Sequence, residues 1–208
     1  MDTAATDRRA APPPPPTVAD WRSTLRARRE ALRDAFLARP DTPKLLREHS
    51  RLVDGAVRDV WRRSGMPAHA AVLAVGGYGR AQLYPHSDVD VLVLLRDGGI
   101  DPASIERFLA TLWDIGLEAS HAVRTVDECL AEMAQDATIR TSLLEHRLIA
   151  GDRTLYRSFA RAFDAAMDPC AFYEAKALEQ QQRHLKHHDA AYNIEPNVKE
   201  NPGGLRDL

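Results

Sequence analysis

A glycine turn followed about ten residues later by two aspartates constrains this chain more than any other part of its sequence. The apolar run 70–75 leads into Gly-Gly-Tyr-Gly-Arg at 76–80, and Ser-Asp-Val-Asp at 87–90 opens a second apolar run that ends at Leu95. Short apolar runs rich in valine and leucine are typical of buried strands. The turn is therefore predicted to follow one strand, and the aspartates to begin the next.

The two aspartates are spaced to act together. Asp88 and Asp90 alternate with Val89, so on a strand their side chains project from the same face. Adjacent carboxylates repel each other unless a cation lies between them, and carboxylate oxygens suit Mg²⁺. Gly76 and Gly77 let backbone N–H groups approach an anion closely. The pattern predicts a site for Mg²⁺, with Mn²⁺ as an alternative, and a nucleoside triphosphate.

Other motifs with glycines or aspartates fit less well. A P-loop needs a lysine directly after its last glycine, and none follows this turn. A dinucleotide-binding fingerprint needs a third glycine where Gln82 stands. An EF-hand loop that began at Asp88 would need an oxygen ligand at Leu92 and glycine at Val93. A hairpin whose aspartates only cap a turn stays open as an alternative.

Composition excludes several classes of partner. The 208 residues carry a formal net charge of −2, which gives no general attraction for nucleic acid or for an anionic membrane surface. No apolar run approaches the length of a membrane span, and the N-terminus lacks a secretory apolar region. Cys129 and Cys170 have no metal-site or disulfide-framework spacing. We therefore expect a cytoplasmic protein that binds neither nucleic acid nor membrane.

Hydrophobic periodicity predicts an α+β fold, with a small mixed β-sheet core, N-terminal helices and a C-terminal helical annex. Three strands are predicted, at 70–75, 89–95 and 117–124. Helices are predicted from Thr17 to about Pro40 and over 43–64, 102–113, 137–148, 152–166 and 169–189, with a short helix capped by Thr125 and Glu128. The predicted domains are a proline-rich disordered tail (1–16), a helical segment (17–66), the core (67–150) and the annex (151–208), which we expect to be truncated.

The turn and the aspartates resemble the nucleotidyltransferase superfamily of DNA polymerase β. More narrowly, the chain resembles the N-terminal domain of the bifunctional PII uridylyltransferase/uridylyl-removing family. The narrower resemblance extends over the segments 112–114, 121–125 and 192–196 and the closing Pro-Gly-Gly-Leu-Arg-Asp at 202–207. It covers about two thirds of the chain, from about Ala70 to the end.

The residue pattern and this resemblance together suggest roles for nine residues. Asp88 and Asp90 are the predicted metal ligands, and Glu118, the only acid well inside the third predicted strand, is the candidate third carboxylate. The other six are assigned to the nucleotide. These six are Gly76, Gly77, Arg80, Ser87, Lys199 and Arg206. The glycines would lie against the triphosphate, Ser87 would add a hydroxyl, and the three basic residues would pair with phosphate. Arg80 is equally suited to capping the turn or pairing with Asp88, and Lys199 and Arg206 could equally belong to an ordinary surface loop.

The resemblance also implies an activity. Members of the family transfer UMP from UTP to a tyrosine of the PII nitrogen-signalling protein, so UTP and PII are the expected partners. Nothing in the motifs selects uracil over adenine, so an adenylyltransferase of the same superfamily stays open, as does a non-catalytic nucleotide-binding fragment. Family members are much longer and carry phosphohydrolase and ACT domains. We therefore expect a fragment without uridylyl-removing activity, and treat His184 and His188, spaced i, i+4, as a helix surface rather than a zinc site.

Overall fold

The computed structural model describes residues 17–96, 101–186, 197–199 and 201–207. The first two elements are long helices, and each begins with a side-chain cap. Helix α1 (Val18–Ala38) begins with a capping box between Thr17 and Asp20. Helix α2 (Thr42–Arg63) is capped by Asp41, and its buried face carries the apolar side chains Leu46, Val53, Val57, Val60 and Trp61. Both helices lie where the sequence predicted them.

A four-stranded sheet in the order β3-β2-β1-β4 follows. Its strands are β1 (Ala71–Ala74), β2 (Val89–Leu95), β3 (Ala119–Thr125) and β4 (Arg147–Gly151). Strand β1 runs antiparallel to both of its neighbours, with Ala74 opposite Val91 on one side and Arg147 on the other. All four residues of β1 are buried, as expected for an inner strand.

The remaining elements are helical. They are α3 (Gly76–Gly79), α4 (Pro102–Asp114), α5 (Val126–Gln135), α6 (Ala137–Leu144), α7 (Arg153–Ala166), α8 (Pro169–Lys186) and a 3₁₀ turn at Leu205–Asp207. The α+β class predicted from the sequence is confirmed. In the described residues no helix is both long and apolar enough to span a membrane.

The described residues form two compact units. The first comprises 17–66, 81–89 and 101–119, and the edge of Trp61 packs against Phe108 in its core at a ring-centroid distance of 5.2 Å. The second comprises 67–80, 90–96, 120–186 and the described part of 197–207. Its core joins the sheet to α5, α6 and α7 through buried side chains: Leu73, Leu92, Leu94, Met133, Leu143, Leu155, Phe159 and Phe163. The domain limits predicted from the sequence stay a prediction.

Strand β4 is the element that the sequence prediction missed. A helix was predicted over 137–148, but α6 ends at Leu144 and the chain then pairs with β1. Gly151 ends the strand at φ +97°, and a Cβ there would lie 2.2 Å from the Ala70 carbonyl oxygen. The hydrogen bonds offered by β1 decide this segment's structure, and they come from residues far away in sequence.

Candidate active site

The glycine turn lies directly beside the start of β2. After β1 the chain is extended at Val75, whose N–H donates to the Asp90 carbonyl oxygen at 3.1 Å. Gly76 then takes φ +56° and begins the single helical turn α3. A positive φ is costly for residues with a Cβ, so glycine is needed where the chain leaves the sheet. The predicted proximity of the turn and the second strand is thus observed in the second unit.

The Asp90 side chain lies against the bare Cα of Gly76. A Cβ added at Gly76 would be 3.3 Å from Asp90 Oδ2. The carboxylate is half-buried, and the missing glycine side chain leaves a small space beside it. Two residues that the sequence placed in one site are therefore close together.

The far end of the turn is held by backbone packing and by one arginine. A Cβ on Gly79 would lie 1.7 Å from the Glu145 carbonyl oxygen, so the turn fits only because this residue is glycine. Arg147 donates from Nε to the Gly79 carbonyl and from Nη2 to the Tyr78 carbonyl, each at 3.3 Å. Its guanidinium also lies 5.5 Å from the centroid of the buried Tyr78 ring. Sequence analysis gave Arg147 no role, because it was assigned to the predicted helix over 137–148 and β4 was not predicted.

Gly77 and Arg80 occupy the open side of the turn. A Cβ on Gly77 would meet only Arg80 Nη2, at 3.9 Å, which is ordinary van der Waals contact. Arg80 is exposed, and its N–H caps α3 by donating to the Gly76 carbonyl at 3.4 Å. The backbone of Arg80 thus caps the turn while its guanidinium stays available, and its predicted pairing with phosphate stays a prediction.

Ser87 and Asp88 lie in the first unit, in an exposed loop that α2 anchors. His49 Nδ1 donates to the Leu83 carbonyl at 3.1 Å, and the Leu83 N–H donates to Ser50 Oγ at 3.0 Å. Both of these α2 side chains are buried. The sequence analysis did not identify this pair, although two polar residues on the apolar face of a helix could have indicated it.

His49 is buried in its neutral form. Burial lowers the pKa of the imidazole, and the positive charges of Arg29 and His86 lower it further, against the opposing effect of the Leu83 carbonyl. Its Nε2 has no hydrogen-bond partner among the described residues. Protonation would therefore put an unpaired charge in the interior.

Glu118 lies one residue ahead of β3 and is exposed, whereas the sequence predicted it well inside that strand. Its carbonyl oxygen accepts from the Val89 N–H at 2.8 Å, which joins this residue to the start of β2. Its carboxylate also raises the pKa of Arg29, although burial has the larger, opposite effect on that guanidinium. The role of Glu118 as a third carboxylate stays a prediction.

The closing motif is ordered around Asp207. The Arg206 N–H donates to the Lys199 carbonyl at 3.3 Å, so the two predicted phosphate-binding residues are neighbours, and both are exposed. Asp207 accepts from the Gly203 N–H at 2.7 Å and from His184 Nε2 at 2.8 Å, and pairs with Arg183.

These contacts have two consequences. The Gly203 N–H is the main cause that holds the pKa of Asp207 well below its usual range. His184 is turned toward Asp207, which argues for a structural use of this residue. The predicted partner His188 and the family-like segment 192–196 lie outside the described residues.

The donor set fits a magnesium–nucleotide complex better than a protein-only metal centre. Among the described residues no three His, Cys, Asp or Glu side chains are grouped to hold a metal ion. Mg²⁺ is usually bound by one or two carboxylates together with substrate phosphates. Asp90, beside the glycine turn in the second unit, is one such carboxylate, and the role of Asp88 as a second metal ligand stays a prediction.

Comparison with known proteins gives consistent results. A family model described as GlnD PII-uridylyltransferase matches residues 171–208. Enzymes named bifunctional uridylyltransferase/uridylyl-removing enzyme are similar over 90% of this chain: 52% identity in Chromobacterium violaceum, 48% in Nitrosospira multiformis and 49% in Cupriavidus pinatubonensis. The chain spans 22% of the length of each of these relatives. The family resemblance inferred from the sequence is confirmed.

A solved structure was also matched. It is described as a toxin–antitoxin with AMP-PNP. The match covers 66% of this chain and 98% of the matched chain, with 12% sequence identity and a TM-score of 0.36. A TM-score of this size does not establish a shared fold.

Proposed function

We propose that this chain, which is homologous over nine tenths of its length to the bifunctional uridylyltransferase/uridylyl-removing enzymes, is a metal-dependent nucleotidyltransferase that transfers UMP from UTP to a tyrosine of PII. The observation that carries the proposal is the position of the Asp90 carboxylate beside Gly76, with Oδ2 3.3 Å from the point that a Cβ would occupy. It combines an oxygen ligand for a cation with a turn that a phosphate can approach. The name of the similar enzymes supports the uridylyl group as the group transferred, and the description of the matching family model supports PII as the acceptor.

In the proposed reaction, the tyrosine oxygen attacks the α-phosphorus of UTP, the bond to the β-phosphate breaks and pyrophosphate leaves. Asp88 and Asp90 would hold Mg²⁺, which when bound stabilises the negative charge of the reacting phosphates. A tyrosine hydroxyl is a weak nucleophile, so metal coordination or a carboxylate base must activate it. Glu118 is our candidate for that base.

The remaining predicted residues would bind the triphosphate. Gly76 and Gly77 carry no side chains of their own, so their backbone N–H groups would be able to approach an anion closely. Ser87 and Arg80, both exposed, would add a hydroxyl and a guanidinium. Lys199 and Arg206 are exposed neighbours in the closing motif, and two adjacent cations suit the charge of a leaving pyrophosphate.

The test is transfer of label to PII from α-³²P-UTP and, separately, from α-³²P-ATP, in the presence of Mg²⁺. We expect label from UTP only, and its loss in Asp90→Asn, which keeps the size of the side chain and removes its charge. Asp164→Asn, at an exposed position of α7, is the matched control and should retain transfer.

Three outcomes would contradict the proposal. Label from ATP alone would indicate an adenylyltransferase. Mg²⁺-dependent binding of UTP without transfer would indicate a non-catalytic module. Full transfer by Asp90→Asn would remove this aspartate from the metal site.

A further inference from the structure

Helix α6 is fixed against the glycine turn by direct backbone packing. The Glu145 carbonyl, just after the helix, occupies the space that a Cβ of Gly79 would fill, at 1.7 Å from the Cβ position. Because this contact joins backbone to backbone, neither segment can shift easily relative to the other. The C-terminal end of α6 therefore has a defined position relative to the turn.

Ser142 lies in the last turn of α6, three residues before Glu145. Its Oγ is 3.8 Å from the position that a Cβ of Gly76 would take, and Asp90 Oδ2 is 3.3 Å from the same point. One hydroxyl and one carboxylate therefore border the same small space beside the bare Cα. Sequence analysis did not single out Ser142.

The hydroxyl of Ser142 has no hydrogen-bond partner among the residues that the structure describes. Serine and threonine within helices commonly donate to the carbonyl four residues earlier, and the neighbouring Thr141 does so, at 2.7 Å from the Ala137 oxygen. The Ser142 hydroxyl makes no hydrogen bond within the described part of the chain, and the residue is half-buried. A half-buried donor without a partner, facing the turn, is available to a ligand.

We infer that Ser142 is a nucleotide-binding residue whose hydroxyl donates to a phosphate oxygen of the triphosphate bound at the glycine turn. This inference rests on the proposed function. A carboxylate repels phosphate unless a cation or a donor offsets the charge, and Ser142 is a donor on the Asp90 side of the turn. Its contribution is to binding of the substrate, since a serine hydroxyl is a poor acid or nucleophile unless a base activates it, and Asp90 is assigned to the metal.

The test is the affinity for UTP in the presence of Mg²⁺, measured by calorimetry on the purified chain. A hydrogen bond to a charged group is worth enough that Ser142→Ala should weaken binding by roughly 10-fold or more. Thr141→Ala is the matched control, because its hydroxyl is already used by the Ala137 carbonyl, and its affinity should equal that of the wild type. Ser142→Cys, nearly equal in size but a weak donor, should lose affinity as well.

The outcomes separate this inference from the proposed function. If the wild type binds UTP and Ser142→Ala binds it equally well, the inference is wrong and the proposed function stands. If the wild type neither binds UTP nor transfers UMP, both fail. If Thr141→Ala loses as much affinity as Ser142→Ala, the loss reflects a disturbed helix and the inference is also wrong.

Discussion

At the scale of single residues, two glycines of one short turn differ in what they permit. A Cβ on Gly79 would overlap the Glu145 carbonyl at 1.7 Å, whereas a Cβ on Gly77 would make only an ordinary contact at 3.9 Å. Gly79 is required for packing of the turn against the chain after α6. Gly77 is not required for packing, so any requirement for glycine at this position must come from a ligand.

This difference gives a stability prediction. Gly79→Ala should lower the free energy of unfolding by about 1–3 kcal/mol or more, because the added methyl group displaces backbone. Gly77→Ala is the matched control and should change it by less than about 0.5 kcal/mol. Urea denaturation of both variants measures the effect, and equal midpoints would show that the turn can move away from Glu145.

His49 gives a pH prediction. Its folded-state pKa lies below the ordinary value of about 6.5, so the stability gained from the neutral ring is fully present above pH 6.5. It is lost as the pH falls from there through the lower folded-state pKa. The wild type should therefore lose more stability between pH 7.5 and pH 5 than His49→Gln, whose amide does not titrate.

Urea midpoints of the two proteins at both pH values provide the measurement. The other histidines are common to both proteins, so the difference isolates the buried ring. Parallel pH profiles would mean that His49 is protonated in the folded state at no cost, contrary to its burial at 2% exposure.

At the scale of elements, the structure of the closing motif at 202–207 depends on one carboxylate, that of Asp207 at the end of the 3₁₀ turn. Asp207 joins the Gly203 backbone to Arg183 and His184 of α8. Helix α8 has no buried residue in its described length, so polar contacts of this kind contribute much of what holds the turn to it. The exposed Lys199 and Arg206 are presented by the same turn.

The lowered pKa of Asp207 predicts how this element responds to acid. The ionised carboxylate stabilises the turn above its ordinary pKa of about 3.9, and this contribution is lost as the pH falls below that value toward the folded-state pKa. The amide proton resonance of Gly203 should therefore stay unchanged between pH 6 and pH 4 and shift only at lower pH. In Asp207→Asn it should show no such acid titration.

A Gly203 resonance that titrates at the ordinary pKa of an aspartate would contradict the described hydrogen bond. A resonance that titrates identically in Asp207→Asn would assign the effect to another group. Either result would also remove the reason for treating Lys199 and Arg206 as residues held in fixed positions.

At the scale of the whole molecule, the proposed activity requires a metal ion that would bind mainly together with the substrate. The described residues contain no group of three or more protein ligands for a metal. We therefore expect chelation by EDTA to abolish transfer of UMP and added Mg²⁺ to restore it fully. The urea midpoint without nucleotide should be the same in EDTA and in Mg²⁺, because substrate phosphates complete the site.

Transfer that persists in excess EDTA would contradict the proposed chemistry. A large loss of stability on chelation without nucleotide would show instead a structural metal centre. The two measurements are independent, so each can fail alone.

Local patterns in the sequence determined most of the elements. The capping boxes at Thr17 and Thr125 and the limits of β2 at 89–95 were all predicted and are observed. The adjacency of the glycine turn and Asp90 was predicted as well. These features depend on neighbours within a few residues, or on one short connection between paired strands.

The tertiary structure decided the rest, because it depends on contacts between residues far apart in sequence. Strand β4 forms since β1 offers it hydrogen bonds, and β4 in turn brings Arg147 to the glycine turn. The distinction between Gly77 and Gly79 exists only because the chain after α6 passes one of them, and the same packing brings Ser142 toward Gly76. No periodicity or spacing contains these distances, which arise only when the folded chain brings the segments together.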